Sequence, residues 1–127
     1  QLIEKFLVEK GISATEIDDT GIQYVIHQQG TGENAKFGSS VFVHYRGYLL
    51  DGTEFDSSSG SAPFSLVIGA DQAIQGWQIA FQEFNKGTSA TIFIPSRYAY
   101  GSQRNGTIPP NSVLIFDVTV VDIRAND

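Results

Sequence analysis

Two histidines, fourteen carboxylates and a scatter of hydroxyls are the side chains with which this 127-residue chain could make or break bonds, and it contains no cysteine. The cysteine count excludes thiolate catalysis, disulfides and Cys-based zinc sites. His27 and His44 both sit in short strand-like segments, where histidine reads as a surface or half-buried residue. No G-x-S-x-G turn offers either of them a nucleophile, and neither has further metal ligands close by. The run Asp51-Gly52-Thr53-Glu54-Phe55-Asp56 is rich in carboxylates, but Gly at its second position and Phe at its fifth are unlike an EF-hand loop. Gly30-Thr31-Gly32 is a G-x-G with no third glycine opening a helix, which is poor material for a phosphate cradle. Asn105-Gly106-Thr107 matches a glycosylation acceptor, a three-residue pattern that recurs by chance and matters only in a chain secreted by a eukaryote.

What remains is aromatic. Tyr45, Phe55, Phe64, Trp77, Tyr98, Tyr100 and Phe116 are more large rings than a sheet-on-helix interface of this size needs, and the tyrosines carry hydroxyls that want partners when buried. A cavity lined by rings is the expectation.

The elements that must position these rings follow from periodicity. Leu2, Ile3, Phe6 and Leu7 recur at helical spacing on one side of residues 2–10, and Gly11 stands where a helix end favours a left-handed residue. Such a short amphipathic helix either packs on the body of the protein, frays in solution, or belongs to a longer dimerising arm. Asp19-Thr20-Gly21 reads as a turn, residues 22–26 as a strand and residues 29–32 as a loop. From Val41 the period is two, with Val41, Val43 and Tyr45 on one face and Phe42, His44 and Arg46 on the other. Asp51-Gly52 signals a hairpin into a strand that carries Phe55 and Asp56. Phe64, Leu66 and Ile68 mark a further strand.

Over residues 73–84 the period turns helical, with Ala73, Trp77, Ala80, Phe81 and Phe84 on one face and Gly87 past the end. Strands follow at 90–94, with Ala90, Ile92 and Ile94 inward, and at 113–123, with Leu114, Phe116, Val118 and Val120 inward. Between them runs the long loop 101–112, of a length that is usually functional or disordered. The fold class is α+β: a twisted five- to six-stranded antiparallel sheet wrapped around one short helix, plus the N-terminal helix. We divide the chain into a helical extension, residues 1–20, and a single domain, residues 21–127.

Size and charge agree with a single globular domain. Eight basic residues against fourteen acidic ones give a net charge of −6, and the basic residues form no stripe, so nucleic acid is excluded as a partner. No stretch approaches 18 consecutive apolar residues. The chain has no methionine and begins with Gln1, so we expect a signal sequence or membrane anchor to precede it.

Five segments then occur in order: VHYRGYLLDGTEFDSS (43–58), IQGW (74–77), YAYG (98–101), IPP (108–110) and LIFDV (114–118). Over residues 22–123 they resemble the FKBP-type peptidyl-prolyl cis/trans isomerases. The resemblance implies a rotamase acting on X-Pro bonds during protein folding, without a cofactor or metal. Its alternative is a catalytically weak binding or chaperone module of the same fold. Carried over residue by residue, it implies a pocket walled by Tyr45, Phe55, Phe64, Ala73, Ile74, Ile108 and Phe116 and floored by Trp77. Asp56 and Tyr100 would be the polar groups, and the Ile74 N–H and the Tyr100 hydroxyl the donors to ligand carbonyls. The catalytic set so implied is Tyr45, Phe55, Asp56, Ile74, Trp77, Tyr100 and Phe116, with Phe64, Ala73 and Ile108 binding substrate.

Proline-containing polypeptides and macrolide inhibitors are the implied ligands. The short helix and the missing start resemble bacterial cell-envelope members of the family. The periplasm is therefore the expected location, with the cytoplasm as the alternative, membrane contact running through an absent anchor and dimers through residues 1–20. The chain departs from the family pattern at Gln72, Ala73 and Thr107, and it lacks an arginine in the shorter loop 57–62. These changes are expected to alter sequence preference and macrolide affinity more than the basic chemistry.

Overall fold

The computed structural model describes residues 2–58, 60, 62–70 and 73–125. Helix α1, Leu2–Lys10, ends as its glycine demands: Gly11 N–H donates to the Val8 carbonyl at 3.2 Å and Ile12 N–H to that of Leu7 at 2.9 Å. Its apolar stripe is narrower than the spacing predicts. Ile3 and Leu7, four apart, are buried, whereas Leu2, expected beside them, is 57% exposed because it lies one 100° step around the helix.

Seven strands follow the expected antiparallel plan, more than the five or six anticipated. They are β1 (Thr15–Glu16), β2 (Gln23–Gln28), β3 (Ser40–Tyr48), β4 (Glu54–Ser57), β5 (Phe64–Val67), β6 (Ser89–Ile94) and β7 (Leu114–Arg124). The unanticipated strand is β1, two residues paired with β2 and too short to show any period. The sheet runs β1-β2-β6-β7-β3-β4, and β5 also pairs with β3. Thus β3 holds β7 along one edge, while its other edge changes partner: residues 40–43 pair with β5 and residues 46–48 with β4. Tyr45 stands at this seam.

Helix α2, Gln75–Ala80, crosses one face of the sheet, and the main core lies between them, built from Trp77, Ala80, Phe81, Phe84, Ile92, Ile94, Leu114, Phe116 and their neighbours. The regular helix is shorter than the expected 73–84. It tightens into a 3₁₀ turn at Phe81–Glu83, and Phe84 is already extended. Residues three apart eclipse in a 3₁₀ turn, which lets both Phe81 and Phe84 bury fully. Gly87 therefore closes a later turn and not the helix.

Strand β6 and the first residues of β7 are buried on both faces, where alternation predicts one. Their second face, with Phe93, Val113 and Ile115, packs under Ile3 and Leu7 of α1, and Phe6 meets Phe93 at 6.1 Å between ring centroids. The N-terminal helix is thus packed on the domain.

Candidate functional site

The cavity opens at the seam. Strand β3 supplies Tyr45, β4 Phe55 and Asp56, β5 Phe64, the approach to α2 Ala73 and Ile74, α2 itself Trp77, the loop before β7 Tyr100, and β7 Phe116. Together these nine residues enclose about 180 Å³. Sites for drug-sized ligands run roughly 300–1,000 Å³, so this one suits a single small ring. Gln72 lies outside the described residues, as do Ser59 and Ser61 of the shorter loop.

Trp77 is the centre of the aromatic array and only 5% exposed. Tyr45, Phe64, Phe81 and Phe116 surround it at 5.0, 5.5, 5.3 and 5.1 Å between centroids, with interplanar angles of 74–87°. This edge-to-face packing locks the indole while leaving a hollow that the rings do not fill. The indole Nε1 is buried and is the one such side-chain atom without a hydrogen-bond partner among the described residues. An unsatisfied buried donor costs about 1–3 kcal/mol and is typical of a site whose geometry serves something other than stability.

Gly47 makes the wall possible. It sits one residue before the end of β3 beneath two rings, and a Cβ there would lie 2.6 Å from Cζ of Phe55 and 2.8 Å from Cε1 of Phe116. The sequence reading passed over this residue, although a glycine inside a strand is itself a signal of close approach. The Ala73–Ile74 side is fixed by Gln78, whose Oε1 accepts from Gly69 N–H at 2.7 Å and whose Nε2 donates to the Ala70 carbonyl at 2.6 Å.

The polar groups are few and oriented. The Tyr45 hydroxyl donates to Asp56 Oδ2 at 2.7 Å, and Asp56 Oδ1 accepts the Ser57 N–H at 2.8 Å. Burial first, then the Asp56 carboxylate as acceptor and charge, pushes the Tyr45 hydroxyl up to about 12, so it stays protonated at any physiological pH. Ile74 begins α2 without a capping side chain; its carbonyl accepts the Trp77 N–H at 3.0 Å, while its own N–H has no acceptor among the described residues. The Tyr100 hydroxyl likewise has none. Two donors and one held carboxylate therefore frame an apolar hollow, and the described residues that line it include no Ser, Cys, His or Lys.

Ile108 is the one residue implied for the pocket that the structure places elsewhere. It is buried at the base of an adjoining recess of about 150 Å³ that shares Phe55, Asp56 and Tyr100 with the cavity, and Asn105, Gly106 and Thr107 complete that recess. Tyr98, counted among the surplus rings, faces a different groove beside Gln78 and carries the Arg97 guanidinium 5.2 Å over its ring.

A larger groove, about 370 Å³, crosses the opposite face of the sheet beside His27, His44 and Asp117. Its polar groups are largely paired with one another. His27 Nε2 meets Thr91 Oγ1 at 2.7 Å, Thr91 Oγ1 donates to Asp117 Oδ1 at 2.6 Å, Tyr48 donates to Asp117 Oδ2 at 3.1 Å, and His44 Nδ1 meets Ser58 Oγ at 3.1 Å. That is the pattern of a solvated sheet face.

The family profile described as "FKBP-type peptidyl-prolyl cis-trans isomerase" matches residues 31–121. The FkpA isomerase of Buchnera aphidicola is 40% identical over 124 residues, covering 96% of this chain and 47% of that protein. The isomerase FKBP4 of Rattus norvegicus is 40% identical over 121 residues, covering 93% of this chain and 26% of that one. The crystal structure of FkpA from Escherichia coli superimposes with a TM-score of 0.82 at 39% identity, over 96% of this chain and 55% of the other. The chain thus spans less than half the length of these two curated relatives.

Proposed function

Because the chain belongs to the FKBP-type peptidyl-prolyl cis-trans isomerase family, we propose that its ring-lined cavity accelerates rotation about X-Pro bonds in polypeptides and so assists protein folding. The observation that carries this is the one-ring hollow over Trp77, framed by the Ile74 N–H and the Tyr100 hydroxyl, which have no acceptor among the described residues, and by the Tyr45–Asp56 pair.

Rotation of an X-Pro amide crosses about 18–20 kcal/mol because it breaks C–N resonance, and unaided exchange takes tens to hundreds of seconds. The planar amide is the more charge-separated form, negative on oxygen and positive on nitrogen. Water solvates that form well; a box of aromatic edges and faces does not. Transfer into the cavity therefore penalises the planar ground state more than the twisted transition state.

The pyrrolidine ring gains by burying its apolar surface on Trp77. The Ile74 N–H and the Tyr100 hydroxyl hold the flanking carbonyls so that rotation, and not escape, follows. Asp56, kept in place by Tyr45, supplies a fixed local field. Lowering the barrier by about 5 kcal/mol corresponds to somewhat under four powers of ten in rate, within reach of differential solvation and positioning.

The test is exchange spectroscopy on Ala-Leu-Pro-Phe peptides with and without the protein. A rate equal to that in buffer leaves a binding or chaperone module. Macrolide inhibitors of the family should compete for the same cavity, read as quenching of Trp77 fluorescence. We place the chain in a bacterial cell envelope on its likeness to the FkpA proteins of Buchnera and Escherichia coli; cell fractionation tests this, and a cytoplasmic pool reverses it. Pairing of two chains through residues 1–20 has Leu2 and Val8 as its exposed apolar material, and sedimentation of the protein with and without those residues tests it.

A further inference from the structure

We propose that Asn105-Gly106 is a site of spontaneous deamidation, a modification that places a second carboxylate beside Asp56 at the mouth of the proline cavity and turns acidic polypeptides away. The modification itself is independent of the isomerase reading; its effect on polypeptides rests on that reading.

Deamidation uses the backbone nitrogen of the residue after asparagine. That nitrogen gives up its proton and attacks the side-chain Cγ, so that a C–N bond forms, the Cγ–NH2 bond breaks and ammonia leaves. Water then opens the resulting succinimide at either carbonyl, giving aspartate or isoaspartate. The step requires a free asparagine side chain, an uncrowded neighbour and an uncommitted nitrogen, and Asn105 meets all three. It is exposed and its side chain has no partner among the described residues, while Gly106 has no Cβ and its N–H has no acceptor among them. Gly106 stands at φ +56° in a turn closed by Asn105 N–H to the Ile108 carbonyl at 3.1 Å and Ile108 N–H to that of Asn105 at 2.8 Å. These two bonds open as the nitrogen swings over Cγ, and an exposed turn tip opens readily.

Every other candidate fails a requirement. Asn85 is buried and its amide is bonded to Gly32, Gln29 and Thr88. Asn34 is followed by Ala35, whose N–H is held by the Phe84 carbonyl at 3.0 Å. Asn111 and Asn126 are followed by Ser112 and Asp127, whose side chains crowd the attacking nitrogen as a glycine does not. Asp51-Gly52 could close the same ring, but the Gly52 N–H is committed to the Leu49 carbonyl at 2.9 Å.

The product adds one negative charge to the net −6 of the chain. It stands on the wall of the 150 Å³ recess, where Asp56 is now the one charged residue of the lining. Acidic chains approaching the cavity then meet two carboxylates in place of one.

The test is storage of the intact chain in mildly alkaline buffer, with peptide mass spectrometry locating each NH2-to-OH exchange, beside the Asn105→Gln variant. We expect conversion at Asn105 ahead of every other asparagine, faster as pH rises, and almost none at that position in the variant, where closure needs a larger ring. Equal or faster conversion at Asn34, Asn85, Asn111 or Asn126 overturns the proposal. Fresh and stored protein are then compared by exchange spectroscopy on Ala-Glu-Pro-Glu-Phe and Ala-Lys-Pro-Lys-Phe, which carry the same side chain on both sides of proline, so the direction in which the peptide lies does not enter. The Lys-to-Glu ratio of kcat/KM should rise about two- to fivefold on storage and in Asn105→Asp, the span of partly exposed charge contacts, and hold steady in stored Asn105→Gln. A ratio that stays put in fully converted protein overturns the effect on polypeptides. A fresh chain that speeds neither peptide refutes the isomerase reading and leaves the modification standing.

Discussion

Replacing Gly47 with alanine tests whether ring placement sets the rate. The new methyl group would stand 2.6 and 2.9 Å from two carbons of the Phe55 ring and 2.8 Å from Cε1 of Phe116, where ordinary contact begins at 3.4 Å. The nearest ring edge must retreat by about 0.8 Å, and the free space open to it is the hollow that both rings border. Phe55 and Phe116 meet edge-to-face at 5.6 Å, and Phe116 lies 5.1 Å from the indole, so the displacement passes from wall to floor. A misplacement near 1 Å costs up to about 100-fold in a positioned reaction, so we expect kcat/KM on Ala-Leu-Pro-Phe to fall about 10- to 100-fold. Overpacking should also remove about 1–3 kcal/mol of stability, read by urea titration. The control is Ile3→Val, in the separate cluster under α1, which should cost about 0.5–1.5 kcal/mol and leave kcat/KM unchanged. If Gly47→Ala loses stability yet keeps kcat/KM within about twofold, the rings are a scaffold and the solvation argument fails.

Three further outcomes follow from the same geometry. Phe55→Ala and Trp77→Leu should each lower kcat/KM more than Tyr100→Phe does, measured below each variant's unfolding midpoint; the opposite order would make hydrogen bonding dominant and solvation secondary. Tyr45 and Tyr48 are both pushed up to about 12, chiefly by burial and then by Asp56 and Asp117 respectively. Because these folded values stand above the ordinary 10, the tyrosines' contribution to stability is complete below pH 10 and is lost as pH rises toward 12. Urea midpoints should therefore fall across that window, and fall less in the Tyr45→Phe, Tyr48→Phe double variant. Gly30→Ala would bring a Cβ to 2.1 Å from the Lys86 carbonyl oxygen, so it should cost stability at the upper end of about 1–3 kcal/mol while leaving kcat/KM of the folded fraction intact, a combination that calorimetry and the exchange assay read separately.

That last position shows how a sequence signal and its cause can part company. Gly30-Thr31-Gly32 looks like a fragment of a phosphate loop, yet the Thr31 N–H donates to the Lys86 carbonyl at 2.9 Å, and Asn85 Nδ2 to the Gly32 carbonyl at 3.1 Å. The glycine is there because two backbones touch. Alternation made β3 and the inward residues of β6 and β7 legible, since a strand with one wet face announces itself every second residue. It could not announce the burial of Phe93 and Ile115, because their cover is a nine-residue helix at the other end of the chain.

Seven of the nine residues lining the cavity lie in the five ordered segments, with Phe64 and Ala73 outside them, but the opening of the site was not legible there. Period two says which way Tyr45 points. It says nothing of the edge of β3 changing partner from β5 to β4 at that residue, with Ser58 Oγ taking the Tyr45 N–H at 2.8 Å in place of a strand. A continuous strand along that edge would close the sheet over Trp77 and fill the hollow with its own side chains. The interruption leaves Tyr45, Phe55 and Phe64 on three different strands around one gap, and rings held by three separate elements cannot collapse into it together. Ile108 fell outside the cavity for a related reason: the loop carrying it folds back on itself through the Asn105–Ile108 pairing, a contact between residues three apart whose direction depends on the turn and not on any periodic pattern.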